Sequence, residues 1–165
     1  MTETAAADSV QIERVFAASP PAVWKLWTEP EHFAAWYGPA GSTIVEATMD
    51  VRVGGTRTVC MEFATPQGTR RMWFTGSYLE LVEPKLLVYT DSMADENGTV
   101  LTPEKLGMPA DHPTTTVVRV QLEPAPAGTL LTLTHSGIPA GSPGAIGWNM
   151  ALDKLAVHVG EHALD

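Results

Sequence analysis

Alternation of apolar and polar residues with a period of two runs through much of the chain and predicts β-strands. Residues 10–16 show this alternation, and two short stretches with helical spacing follow them. Ser19 stands before two prolines and is a good N-cap for the first helix, while Pro30 suits the first turn of the second. The pair Gly38-Pro39 ends the second helix. The chain is therefore predicted to begin with one strand and two short helices.

Residues 50–55 carry the clearest hairpin signal. Two valines alternate with Asp50 and Arg52, and the glycine pair that follows can adopt positive φ without a Cβ clash. We expect two antiparallel strands within residues 43–63 that join at this glycine pair. Asp50 and Arg52 lie two apart on one strand, so we expect them to form a surface ion pair or a polar patch.

The second half of the chain repeats the strand pattern and then changes to helical spacing. Further strands are predicted over residues 71–83, 86–91, 116–122 and 129–136. Gly76 indicates a bulge or a close approach of two backbones. Residues 92–114 are polar and too long for a hairpin turn, as is common for lids and binding loops. Residues 145–160 are predicted to form a long helix, whose apolar stripe comprises Trp148, Leu152, Leu155 and Val159.

This order of elements predicts the α+β class, with an antiparallel sheet of about six or seven strands and its helices segregated to one side. The 165 residues fit one domain, which we place at residues 10–165, after a disordered tail of residues 1–9. Residues 1–8 contain neither Lys nor Arg and have no apolar run, so we expect neither a signal peptide nor a transit peptide. No apolar stretch approaches the roughly 18 residues of a membrane span, and no membrane insertion is expected.

Composition narrows the functional classes. The formal charge is −9, and the ten basic residues are scattered, which argues against nucleic-acid binding. Cys60 is the single cysteine, so the chain can form no internal disulfide and no cysteine-based zinc site, and a reducing cytoplasm fits this usage. The sequence has neither a Gly-rich phosphate loop nor a Gly-x-Ser-x-Gly elbow, and no cofactor is expected.

Histidines are the polar candidates for chemistry. His135 shares a strand face with Leu131 and Leu133, so we expect it to face the interior, where an imidazole can bind a ligand or act as an acid or base. A hydrogen-bonded structural histidine is the alternative interpretation. His158 and His162 lie four apart on the predicted helix but lack a third ligand nearby, so no metal site is expected.

Five segments together resemble one known family. They are residues 15–27, 36–39 (Trp-Tyr-Gly-Pro), 50–55, 76–90 and 147–155. With them, residues 10–162 resemble the START-like (SRPBCC) superfamily, and within it the branch similar to the activator of the ninety-kilodalton heat-shock protein ATPase. The resemblance implies a helix-grip fold, in which a curved sheet wraps around the C-terminal helix. It also implies an interior that receives ligands, since the superfamily includes lipid carriers and polyketide cyclases, and it carries over no shared catalytic residue.

Three functional hypotheses follow. The leading one is a cytoplasmic protein that binds a small apolar, aromatic or lipid-like molecule between the sheet and the helix, with residues 92–114 as a lid. A cyclase- or hydrolase-type enzyme that uses His135, and a chaperone-interaction module that uses an exposed apolar patch, are the alternatives. The oligomeric state stays open, a homodimer included. The residues expected to line the interior are Trp27, Trp36, Val59, Met61, Trp73, Tyr89, Val118, Val120, Leu133, His135, Trp148, Met150 and Leu152.

Overall fold

The computed structural model describes residues 9–39, 41–106, 114–138 and 143–161. Within these ranges a seven-stranded antiparallel sheet curls into a half-barrel, with the strand order β1-β7-β6-β5-β4-β3-β2. Its strands are β1 (Ser9–Phe16), β2 (Ser42–Met49), β3 (Thr56–Thr65), β4 (Gly68–Val82), β5 (Leu86–Ala94), β6 (Thr116–Ala125) and β7 (Gly128–Ser136). The helices are α1 (Pro20–Thr28), α2 (Pro30–Trp36), α3 (Pro143–Glu161) and a short 3-10 turn, Glu104–Leu106. The predicted α+β class and helix-grip architecture are confirmed.

The two short helices start as the sequence predicts. The Ser19 hydroxyl accepts a hydrogen bond from the Ala22 N–H at 3.4 Å, and prolines occupy the first turn of both helices. The Trp36 indole N–H donates to the Leu26 carbonyl at 2.8 Å and ties α2 to the end of α1. Both helices therefore present a fixed aromatic surface to the core.

The terminal helix α3 buries the predicted stripe. Leu152 and Leu155 are fully buried, and Trp148 and Val159 nearly so, in one hydrophobic cluster shared with the sheet and with α1 and α2. On the outer side, Arg14 of β1 makes an ion pair with Asp153 at 2.9 Å. The helix is thus held between the sheet edge and the two short helices.

The structure has no strand over residues 50–53, so the hairpin prediction is wrong for these residues. The strand β2 ends at Met49, and the next residues form a tight loop in which the Arg52 N–H donates to the Asp50 carbonyl at 2.9 Å. Such local hydrogen bonds replace a strand ladder, and Val53 is 65% exposed. The glycine pair does turn the chain, since Gly54 has a φ of +85°. The predicted surface ion pair between Asp50 and Arg52 is present at 2.8 Å.

Gly76 marks a close approach of two backbones, as expected. A Cβ at this position would collide with the Thr90 carbonyl oxygen on β5, and the neighbouring Ser77 N–H donates to the Thr90 hydroxyl at 2.9 Å. Gly76 pairs with Arg57 of β3. The backbone of β5 occupies the place that a side chain would take, so a glycine is needed here for β4 and β5 to pack together.

The segment expected as a lid is only partly described. The strand β5 continues to Ala94, so the first three of residues 92–114 belong to the sheet, and residues 107–113 lie outside the described ranges. Residues 1–8 of the predicted tail also lie outside them, while Ser9 already belongs to β1. Among the described helices, none is long and apolar enough to cross a membrane.

Candidate functional site

A charged side chain lies inside the core, on the concave face of the sheet. Arg57 alternates with Val59 and Met61 along β3, so the strand period turns all three side chains inward. From β4 and β5, Tyr78, Tyr89 and Asp91 reach the same space. We call Arg57, Tyr78, Tyr89 and Asp91 the arginine cluster.

Aromatic contacts fix the Arg57 guanidinium. Only 1% of Arg57 is exposed, and its guanidinium carbon lies 4.0 Å from the centroid of the Tyr89 ring and 5.3 Å from that of Phe33. Its Nη1 faces Asp91 Oδ1 at 3.7 Å. That distance permits ion pairing but is too long for a hydrogen bond.

Several polar atoms of this region are buried without a hydrogen-bond partner among the described residues. They are Trp27 Nε1, Arg57 Nε and Nη2, Tyr78 Oη, Tyr89 Oη and Asp91 Oδ1. Buried polar groups are nearly always satisfied, and each exception costs about 1–3 kcal/mol. Most of the unsatisfied atoms belong to the arginine cluster, and such a concentration marks it as a site that a polar group can complete.

Burial controls the electrostatics of the cluster. Burial raises the pKa of Asp91 to about 6, although the charge of Arg57 lowers it in part. The pKa of Tyr89 is also raised by burial, and that of Tyr37 is raised by burial and by the nearby Asp91 carboxylate. Burial raises the pKa of Tyr78 as well, with Arg57 opposing the shift. Near neutral pH the tyrosines are therefore neutral donors beside one fixed positive charge.

A second buried polar group, the histidine network (Thr116, His135 and Trp148), lies on the same face. The Trp148 indole N–H donates to His135 Nδ1 at 2.9 Å. Because Nδ1 must accept, Nε2 carries the proton and donates to the Thr116 hydroxyl at 2.7 Å. That hydroxyl in turn donates to the Asp91 backbone carbonyl at 3.1 Å. Burial lowers the pKa of His135 to about 4, so the ring is neutral and both of its nitrogens are engaged.

Most of the residues expected to line the interior do face it. Trp27 stacks on Trp148 with ring centroids 5.9 Å apart and meets Trp36 edge-on at 4.7 Å. The buried members of the predicted set are Trp27, Trp36, Val59, Met61, Tyr89, Val118, Val120, Leu133, His135, Trp148 and Leu152. Their role in binding a ligand stays a prediction.

Two predicted lining residues point elsewhere. Trp73 pairs with Cys60 across the β3–β4 ladder, and residues directly opposite one another share a face, so Trp73 lies on the side of the sheet away from Val59. Met150 is 38% exposed. It follows Trp148 by two helical positions, which is about 200° around the helix, and therefore lies on its outer side.

Only one histidine of the pair considered from the sequence is described. His158 Nε2 lies 3.3 Å from His32 Nδ1 of α2, and His162 lies outside the described residues. Among the side chains that the structure describes, no group of three or more His, Cys, Asp or Glu is arranged to hold a metal ion.

Sequence reasoning missed Arg57 and Asp91. The signal was present, because Arg57 has the same parity as Val59 and Met61 on a strand that carries apolar residues at those positions. Charged residues lie at the surface in most proteins, so an inward-facing arginine is not the default expectation. An arginine on the inward parity of a strand is the pattern to look for.

The fold recurs in solved structures. Protein CV1439 from Chromobacterium violaceum is 28% identical to this chain with a TM-score of 0.71, over 92% of this chain and 97% of that one. A protein from Arthrobacter aurescens is 25% identical with a TM-score of 0.69, over 96% and 90% of the two chains. The AHSA1 protein SPO3351 from Silicibacter pomeroyi is 22% identical with a TM-score of 0.68, over 93% and 99%. A comparison with curated proteins gives no match.

The family follows from the sequence itself. A family model described as Activator of Hsp90 ATPase homolog 1-like protein matches residues 17–160, which include every strand and helix after β1 except the last residue of α3. The short name of this family, AHSA1, is also the name given to the structural neighbour from Silicibacter pomeroyi. The chain therefore belongs to the Activator of Hsp90 ATPase homolog 1-like family, the START-like branch that its sequence resembles.

Proposed function

We propose that this protein binds a small, largely apolar molecule that carries one polar group, between the inner face of the sheet and the helices α2 and α3. The observation that carries the proposal is the arginine cluster, whose buried donors and acceptors lack partners among the described residues. Small-molecule sites are mostly apolar surfaces with a few polar groups that fix the orientation of the ligand. The cluster and the aromatic core around it have this composition.

The apolar part of such a ligand would contact the aromatic side chains beside the cluster. Tyr37 stacks on Phe33 with ring centroids 4.4 Å apart and meets Trp148 edge-on at 5.7 Å. Phe33 in turn contacts the Arg57 guanidinium. A flat apolar molecule near Arg57 would therefore meet rings of α2 and of α3 together.

Binding is favoured over turnover because His135 is already fully engaged. Both of its ring nitrogens have partners inside the protein, and with a pKa of about 4 the ring is a weak base near neutral pH. The enzyme and chaperone-interaction alternatives, the homodimer and the cytoplasmic location remain predictions from the sequence.

Native mass spectrometry of freshly purified protein tests the proposal. We expect a mass excess over the denatured chain that disappears on unfolding, and a rise in melting temperature when matched apolar compounds are added. A ligand at 100 times its Kd stabilises the native state by about 2.7 kcal/mol. Quenching of the buried Trp27, Trp36 and Trp148 should accompany binding. A native mass equal to the denatured mass, together with no thermal shift from aromatic or aliphatic compounds, would contradict the proposal.

A further inference from the structure

We propose that the polar group of the ligand is a carboxylate, held by the Nε–Nη2 edge of Arg57. This inference rests on the proposed function and adds the chemical class of the ligand. A guanidinium presents Nε–H and one Nη2–H along the same edge, as two parallel donors. The spacing of these donors matches the two oxygens of a carboxylate, which is the most favourable partner for that edge.

The state of the individual nitrogens supports this assignment. Nη1 is the nitrogen that faces Asp91, at 3.7 Å. Nε and Nη2 are the two that are buried and make no hydrogen bond of standard geometry in the described part of the chain, although Arg57 lies close enough to the Tyr78 hydroxyl to lower its pKa. The unsatisfied donors of Arg57 are thus the pair that binds carboxylates in the bidentate geometry.

The guanidinium is also held in place before any ligand arrives. It lies against the Tyr89 ring at 4.0 Å and close to Phe33, and Arg57 is 1% exposed. A fixed donor pair loses little side-chain entropy on binding, so more of the interaction appears as affinity.

Asp91 faces only one side of the Arg57 guanidinium. Arg57 keeps its positive charge at every physiological pH, and its one ion-pairing partner among the described side chains, Asp91, contacts it only at ion-pair distance. A carboxylate accepts about four hydrogen bonds, and the hydroxyls of Tyr78 and Tyr89 are further donors without partners in the described structure. A carboxylate bound here would satisfy several donors that Asp91 leaves without a hydrogen-bond partner in the described structure.

Paired probes with the same apolar body test the inference. We would titrate the full chain with 2-naphthylacetate and with 2-(2-naphthyl)ethanol, and then with decanoate and decanol, by isothermal calorimetry at about pH 7.5. A charge-assisted pair of hydrogen bonds should make each acid about tenfold or more tighter than its alcohol. In Arg57→Met the ratio of the Kd of the alcohol to the Kd of the acid should fall to about 1. In Arg57→Lys this ratio should fall only in part, because a lysine keeps the charge but lacks the two parallel donors of the guanidinium. Arg52→Met, at the exposed ion pair, is the matched control and should keep the wild-type ratio.

The outcomes separate this inference from the proposed function. Acids and alcohols that bind equally well to the wild type would overturn the carboxylate assignment and leave small-molecule binding standing. An acid preference that persists in Arg57→Met would also overturn it, since the anion would then be held elsewhere. Failure of all four probes to bind would contradict the proposed function, and the carboxylate assignment with it.

A measurement on the wild type covers the case in which Arg57→Met does not fold. The Nε–H resonance of Arg57, identified through its contact with the Tyr89 ring, should shift downfield with 2-naphthylacetate and stay in place with the alcohol. An acid that binds without moving this resonance would overturn the assignment.

Discussion

Two buried polar groups on the same face of one sheet differ in a single respect. In the histidine network every polar atom has a partner, from the Trp148 indole through His135 and Thr116 to a backbone carbonyl. In the arginine cluster several buried donors and acceptors lack partners among the described residues. A closed network stabilises one conformation of the core, whereas the group with unpaired donors and acceptors is the one that we propose to bind a ligand. The presence or absence of hydrogen-bond partners therefore distinguishes the two groups better than their burial does.

The two groups are joined through one residue. The Asp91 backbone carbonyl accepts from the Thr116 hydroxyl, and the Asp91 side chain faces Arg57. The histidine network thus fixes the strand that presents the acidic side chain. We infer that the histidine network positions Asp91 within the arginine cluster.

Removal of the Arg57 charge should have the largest effect on stability. In Arg57→Met the Asp91 carboxyl loses its partner, and removal of one member of a buried pair costs about 3–5 kcal/mol. Urea unfolding at about pH 7 measures the loss. Arg52→Met, whose ion pair with Asp50 is exposed, should cost less than about 1 kcal/mol. Equal losses for the two variants would show that Arg57 is no more engaged with Asp91 than a surface residue with its partner.

Protonation of Asp91 and protonation of His135 should change the stability of the fold in opposite directions as the pH falls. The pKa of Asp91 is raised from 3.8 to about 6, so the folded state holds the proton more tightly and stability rises as the pH falls through this window. The pKa of His135 is lowered from 6.5 to about 4, so stability falls as the pH drops from about 6.5 to 4. Each shift corresponds to about 3 kcal/mol, and in the wild type the two contributions largely cancel. Arg57 and the tyrosines that face Asp91 do not titrate in this range.

Asp91→Asn should uncover the contribution of His135. The variant keeps the side-chain shape but cannot gain the compensating stability, so between about pH 7 and pH 4 it should lose about 3 kcal/mol more than the wild type. Urea unfolding at both pH values measures the difference. Parallel pH profiles for the two proteins would contradict the raised pKa of Asp91.

The fold was largely predictable because local patterns agreed with one another. The alternation of Leu131, Leu133 and His135 gave the inner face of β7, and the stripe that begins at Trp148 gave the buried side of α3. The prediction failed at residues 50–53, where local turn hydrogen bonds outweigh the strand pattern. Alternation alone cannot distinguish a short strand from a tight turn.

The candidate site was much less predictable, because it depends on pairings between distant strands. Arg57 and Asp91 lie 34 positions apart and meet only through the register that brings both beside Gly76. His135 was correctly placed inside, but its partners Thr116 and Trp148 come from two other elements, and they decide that its nitrogens are engaged. Strand parity gives the direction of a side chain, and the register between strands gives its partners.

Removal of one hydrogen bond from the histidine network should have an intermediate effect on the free energy of unfolding. Trp148→Phe removes the indole N–H that donates to His135 Nδ1 and keeps most of the apolar surface, so we expect a loss of about 2 kcal/mol in the free energy of unfolding. Trp73→Phe, on the half-buried outer face, is the matched control and should cost less than about 1 kcal/mol. Equal costs would show that the hydrogen bond to His135 contributes little.

Removal of one hydroxyl from the open cluster should have the smallest effect on stability. Tyr89→Phe keeps the ring beneath the guanidinium and deletes an oxygen that has no partner in the described structure, so the free energy of unfolding should change by less than about 0.5 kcal/mol or rise slightly. Thr116→Val is the matched change in the closed network, where the hydroxyl both accepts from His135 and donates to Asp91, and it should cost about 1–3 kcal/mol. Urea unfolding of both variants provides the comparison. A loss for Tyr89→Phe as large as that for Thr116→Val would mean that the Tyr89 hydroxyl is satisfied in the unliganded protein, and the distinction between an open and a closed group would no longer hold at that residue.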